Sequence, residues 1–301
     1  MSSGSRPVVV AIGGGHGLAT TLRAVRQYAG GITGIVTVAD DGGSTGRLRR
    51  DLGVLGVGDL RKCLAALAAT EPDPTAWTGA FEYRFETGDL RGHALGNLIL
   101  VGLAEATGDW VQALDLAGRT LGIAGRVLPA TSEPVVLRAE VDGGAVVGQV
   151  AIQNTPERIR RVSLEPGDAP SPPEVAEAIA AADQVVLAPG SLFTSLVPAL
   201  AAREVGAALA RSSAPVVMVM NLGAQVPETV GLNALDHLEA VRDLGIRVDH
   251  VVLDPAGHLA GDADTLVAAG VTVTVSSVAR PDVMAHAPAK LALTLAALLQ
   301  S

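Results

Sequence analysis

Two stretches combine residue types that do chemistry with a backbone free enough to bring it close to a ligand: GGGHG at 13–17 and ADDGGSTGRLRR at 39–50. In the first, Gly13, Gly14, Gly15 and Gly17 surround His16. A helix starting there would present unpaired N–H groups and the positive end of its dipole, a cradle for phosphate. Leu18 stands where the dinucleotide fingerprint needs its third glycine, and the chain has no GK[ST] phosphate loop. The stretch is therefore either a phosphate cradle of another kind or a tight strand-to-helix turn without a ligand. In the second, Asp40 and Asp41 precede Gly42, Gly43 and Ser44. Acids placed after a second strand hold a ribose, ligate Mg²⁺, or cap the turn that follows. Arg47, Arg49, Arg50, Arg61 and Lys62 follow, five of the 22 basic residues within sixteen positions. They either balance a pyrophosphate or pair with Asp51 and Asp59 on a solvated face.

Two further stretches carry unusual residues. WTGAFEYRF gathers Trp77, Phe81, Tyr83 and Phe85 in a chain that has only two tryptophans, two tyrosines and three phenylalanines. Aromatic rings this dense serve as packing anchors or as a stacking surface, and packing is the preferred reading. GHALGN sets His93 and Asn97 four residues apart, on one helix face if the helix already begins at His93. No H-E-x-x-H pair or cysteine pair occurs, which gives zinc chemistry little support.

The elements that must position these residues follow a βα rhythm. Valine- and isoleucine-rich runs at 7–12, 32–38, 184–187, 215–220, 248–253 and 271–275 predict parallel strands. Helical patterns lie at 18–28, 59–69, 95–106, 110–121, 173–182, 197–211, 232–244 and 288–299. In a parallel sheet the segments after each strand share one edge. Gly13–Gly17, Asp40–Ser44, Pro189-Gly190-Ser191, Asn221-Leu222-Gly223 and Asp254-Pro255 are thus expected around one cleft. The stretch 125–160 alternates differently and is split by Asp142-Gly143-Gly144, so an antiparallel insertion is expected there. The predicted architecture is one α/β domain over 1–301, with a Rossmann-like three-layer fold, a mainly parallel sheet and this inserted β segment.

At 301 residues with 49% hydrophobic content, the chain can bury a large core. A net charge of -9 argues against nucleic acid and anionic membranes as partners. The single cysteine, Cys63, forms no internal disulfide, and no apolar run approaches the roughly 20 residues of a membrane span, so a cytoplasmic location is expected.

Read together, IGGGHGL, TGIVTVADDGGSTGRLR, GDLRKCLAAL, FEYRF, GHALGNLIL, LAPGSLFTSLVPAL and NLGAQVPETVGLNALDHLEAV come in the order of the gluconeogenesis factor (YvcK-like) family, a branch of the CofD-like superfamily, which this chain resembles over nearly its whole length. The resemblance implies a cytoplasmic bacterial protein needed for cell shape and envelope growth on gluconeogenic carbon. Such a protein binds UDP-sugars such as UDP-N-acetylglucosamine without an established reaction. It is expected to form a homo-oligomer, a dimer, and to work with cell-envelope regulatory proteins. The sister branch is a Mg²⁺-dependent transferase that moves a phospholactyl group from a guanosine diphosphate donor, which leaves such a transferase as the alternative and Mg²⁺ as the one cofactor to consider. Carried over motif by motif, Gly13 to Gly17, Asp40, Asp41, Gly42, Gly43, Ser44, Asp59, His93, Asn97, Gly190, Ser191 and Asn221 would line the nucleotide-sugar cleft. Asp40 and Asp41 would meet ribose or metal, and Arg280 would contact phosphate or sugar. The sequence departs from the family pattern at His16, Lys62, Gly223-Ala224 and Pro281.

Overall fold

The computed structural model describes residues 6–68 and 76–299. In chain order the elements are β1 (Val8–Gly13), α1 (Gly15–Val25), β2 (Gly31–Val36), α2 (Gly43–Leu52), α3 (Val57–Leu67), α4 (Ala76–Glu82), α5 (Leu95–Thr107), α6 (Trp110–Leu121) and β3 (Arg126–Pro129). There follow β4 (Val136–Val141), β5 (Gly144–Val147), α7 (Gln149–Gln153), β6 (Ile159–Glu165), α8 (Pro173–Ala180) and β7 (Gln184–Leu187). The last third holds a π-helical turn (Leu192–Leu196), α9 (Val197–Ala201), α10 (Arg203–Arg211), β8 (Val216–Val219), α11 (Ala234–Arg242), β9 (His250–Leu253), α12 (Ala263–Ala268), β10 (Thr272–Val275) and α13 (Pro288–Ala297).

Seven strands form one sheet in the order β10-β9-β8-β7-β1-β2-β3, every neighbouring pair parallel. The central strands are buried on both faces, which is why they read as unbroken Val and Ile runs rather than alternating ones. From β1 the chain steps one way to β2, and from β7 it steps the other way to β8. The β1/β7 boundary is thus the place where connections leave in opposite directions and a crevice opens beyond the strand ends. The sheet is covered by helices such as α1, whose Leu18, Leu22 and Val25 are fully buried. Each such side chain contributes about 1.5–3 kcal/mol by leaving water.

The second sheet, β5-β4-β6, is antiparallel and turns at Asp142-Gly143. It begins later than the sequence pattern implied. Arg126–Pro129 pairs parallel with β2 and closes one edge of the main sheet, where a proline with no N–H to donate is tolerated. The helix expected over 197–211 is two helices, α9 and α10, preceded by the π-helical turn, and the chain bends by 72° between them. Helix α2 was not expected, since glycines and arginines hide its periodicity. The end of the helix expected over 59–69, Ala69, lies outside the described residues. Among the described residues no single helix is long and apolar enough to cross a membrane.

Candidate functional site

A cavity of about 380 Å³ opens at the β1/β7 boundary. Its walls are Gly14 to Gly17, Thr37, Asp40, Gly42, Asp59 and Lys62 on one side, and Gly190, Ser191, Thr194, Ser195 and Gln225 on the other. Helix α7 of the inserted segment supplies Gln149, Val150 and Gln153. A second cavity of about 320 Å³ adjoins it, sharing His16, Gly17, Gly190 and Gln225. It continues over Asn221 to Ala224 and reaches Met284, Ala285 and His286.

The glycine loop stands at the junction of the two. A Cβ on Gly17 would land on the Pro189 carbonyl oxygen, and one on Gly14 would fall 2.8 Å from both Asp59 Oδ2 and Thr37 Cγ2. These glycines let the loops after β1 and β7 and the start of α3 close on one another. Gly14 offers α1 no side-chain cap. Asp59, buried at 7% exposure, does that work instead: its Oδ2 accepts the Gly15 N–H at 2.7 Å while its Oδ1 holds Lys62 Nζ at 2.9 Å. The next two N–H groups of the turn, those of His16 and Gly17, have no helical carbonyl behind them and lie in both cavity walls. Burial, then the Lys62 ammonium, lowers the His16 pKa. Two first-turn N–H groups, the remaining donors of Lys62 and the helix dipole give this place the donors an anion would need.

The adjacent aspartates diverge. Asp40 stays at the cavity wall, its Oδ1 accepting the Gly42 N–H at 3.0 Å. Burial, then the neighbouring Asp59 carboxylate, raises its pKa. Asp41 turns to α7 and accepts the N–H groups of Gln149 at 2.8 Å and Val150 at 2.9 Å. The carboxylate pair therefore does not form a metal site: Asp41 has both oxygens committed to a helix start, and Asp59 has both committed as well. Among the described residues no three His, Cys, Asp or Glu side chains gather in a ligating group. The donor set does not fit a resident Mg²⁺.

Several expected residues sit behind the cavities and shape them. Ser44 Oγ lies 3.0 Å from His93 Nδ1 and accepts from Asn97 Nδ2 at 3.1 Å, while Asn97 Oδ1 accepts from Arg61 Nε at 3.0 Å. Arg61 also pairs with Glu82. This network ties α2, α3, α4 and α5 together, and neither His93 nor Asn97 reaches a cavity wall. Gly43 begins α2 just behind Gly42. Gly13 ends β1, its carbonyl accepting the Thr37 N–H at 2.9 Å. Asn221, itself in the wall of the second cavity, grips Gly190 from both ends, accepting its N–H at 2.7 Å and donating to its carbonyl at 2.8 Å.

The arginines serve structure too. Arg49 donates to the Asp40 carbonyl at 3.0 Å and the Val135 carbonyl at 2.5 Å, and Arg47 donates to the Arg91 carbonyl at 2.7 Å. Of that cluster only Lys62 lines a cavity. Arg280 pairs with Asp282 at 2.9 Å on the surface, outside both cavities. Asp254 is buried and accepts the N–H groups of Ala256, Val278 and Ala279, so the loop after β9 stops short of the cleft. The aromatic cluster also lies elsewhere: Phe81 is core, Tyr83 and Phe85 meet edge to face at 5.2 Å, and Trp77 is 56% exposed.

Residues the motifs did not single out complete the site. Gln149 and Gln153 come from an insertion with no recognisable signature. Thr37, Thr194, Ser195 and Gln225 lie beside expected residues but carry no pattern of their own. Glu228 is buried and accepts the Phe193 N–H at 2.7 Å and the Thr194 N–H at 3.2 Å. Its carboxylate fills the start of the π-helical turn, so an incoming anion is left with the α1 terminus.

The model of the family described as 2-phospho-L-lactate transferase CofD matches residues 9–277. A protein of Mycobacterium leprae that carries the name "Putative gluconeogenesis factor" is 43% identical over 313 residues, covering 98% of this chain and 87% of that protein. The "Gluconeogenesis factor" of Bacillus subtilis is 41% identical over 240 residues, covering 79% of this chain and 75% of that protein. The crystal structure of a UPF0052 family member from Bacillus halodurans superposes with a TM-score of 0.90 at 35% identity, covering 98% of this chain and 100% of that one. With the family model matched over residues 9–277, these identities and the fold shared at that TM-score, the chain belongs to the CofD-like family, in the branch of the gluconeogenesis factors.

Proposed function

We propose that the chain binds a nucleoside-diphosphate sugar of the UDP-N-acetylglucosamine type across the two adjoining cavities, and acts as a regulatory protein of cell shape and envelope growth on gluconeogenic carbon. The observation that carries the reading is the set of N–H and ammonium donors where the two cavities adjoin. His16 and Gly17 border both cavities, and Lys62 stands in the wall of the first beside them. A diphosphate is the part of such a ligand that carries charge and lies between two uncharged ends. Each charge-assisted hydrogen bond it gains contributes about 1.5–3 kcal/mol, enough to hold an anion on a protein whose net charge is -9.

Ligand occupancy would order α7 and the loop after β8, and a cell-envelope regulatory protein would read that surface. The reading further places the protein in the cytoplasm as a homodimer. It is tested by thermal unfolding with and without UDP-N-acetylglucosamine. A ligand that binds only the folded state at a hundred times its dissociation constant stabilises by about 2.7 kcal/mol, a shift of several degrees. An unchanged midpoint at millimolar ligand contradicts the reading. Incubation of nucleotide-diphosphate donors with Mg²⁺ is the companion experiment, and steady release of nucleoside monophosphate would replace binding with a transferase.

A further inference from the structure

The two cavities are chemically unequal, and the inequality fixes which end of the ligand goes where. On the β2 side the walls are carboxylates, hydroxyls and amides: Asp40, Asp59, Thr37, Ser195, Gln149 and Gln153. Nothing there offers a broad apolar face. On the β8 side the walls are Pro189, Leu222, Ala224, Met284 and Ala285, with the Gly223 backbone between them. A sugar ring presents hydroxyl groups around its whole edge and needs acceptors and donors at many angles. A nucleobase presents two flat apolar faces and confines its donors and acceptors to one plane.

We propose that the β8-side cavity takes the base and the β2-side cavity takes the sugar, with the diphosphate over the α1 N-terminus between them. This rests on the nucleotide-sugar reading above and reverses the orientation expected from the acids after β2, which would have met the ribose. Two details of the β8-side cavity support it. Met284 is 76% exposed and its side chain lies over Gly223, so a thioether able to move already covers a backbone strip that a flat ring can slide along. His286, only 9% exposed, forms part of the wall with its Nε2 buried away from the cavity, so the ring adds no open polar edge to this side.

The test fills each cavity separately. Ala224 and Gln153 are both exposed, and each lines one cavity alone, so a tryptophan at either place leaves the core untouched. Wild type, Ala224→Trp and Gln153→Trp are titrated calorimetrically with UDP-N-acetylglucosamine, UDP and N-acetylglucosamine 1-phosphate, with circular dichroism confirming the fold. Ala224→Trp is expected to weaken both UDP ligands by about thirty-fold or more and leave the sugar phosphate unchanged. Gln153→Trp is expected to weaken UDP-N-acetylglucosamine and the sugar phosphate and leave UDP unchanged. The opposite pattern, or equal losses for all ligands in both variants, overturns the assignment while nucleotide binding stands. If wild type binds none of the three, the nucleotide-sugar reading fails and the assignment falls with it.

Discussion

Asp40 and Asp41 show how far residue types alone carry. Their adjacency in the sequence points to shared chemistry, yet one faces the cavity and the other caps a helix more than a hundred residues away. Nothing local encodes that divergence, because it depends on where the inserted segment folds back. His93, Asn97 and Asn221 are alike in this: motif-bearing polar residues whose hydrogen bonds go to the protein and hold cleft segments in place. Asp40 carries a stability consequence. A carboxyl whose folded pKa lies above its unfolded value binds more protons when folded. Its contribution is therefore most favourable at low pH and is lost as pH rises through the window between the two values. Asp40→Asn keeps an acceptor for the Gly42 N–H and removes the buried charge. The variant is predicted to raise the thermal midpoint at pH 7, to flatten the fall in stability above about pH 4, and to weaken sugar-nucleotide binding. A midpoint below that of wild type at pH 7 would refute this account of Asp40.

At the scale of elements, strands were the most legible part, since burial on both faces leaves apolar runs that no surface element imitates. Helix α2 was obscured by the glycines and arginines that make its segment look like a loop, and β3 by its proline and short length. Helix α7 was invisible for a different reason: five residues without a signature become part of the cleft only because Asp41 caps them. Asp41→Ala is predicted to cost about 1 kcal/mol of stability, the usual loss for a helix cap. It should also weaken binding of UDP-N-acetylglucosamine much more than that of UDP, because α7 supplies the Gln149 and Gln153 side chains. Denaturant melts and titrations with the two ligands check both parts, and equal weakening of both would show that α7 has no role at the sugar end.

For the whole molecule, the order in which strands enter the sheet creates the site. Because connections leave β1 and β7 in opposite directions, the glycine loop and the loops after β7 and β8 meet at one crevice, and the insertion closes over it. The βα rhythm of the sequence implies such an edge. It did not imply that the loop after β9 would be drawn inward by Asp254, or that the arginines would be spent on carbonyls rather than on the ligand. Hydrogen exchange of the protein with and without UDP-N-acetylglucosamine tests the shared crevice most directly. The account predicts simultaneous slowing at 14–18, 149–153, 190–195 and 221–225, with 76–85 and 280–282 unchanged. Slowing confined to one of those four segments, or centred on the exposed aromatics near Trp77, would contradict it.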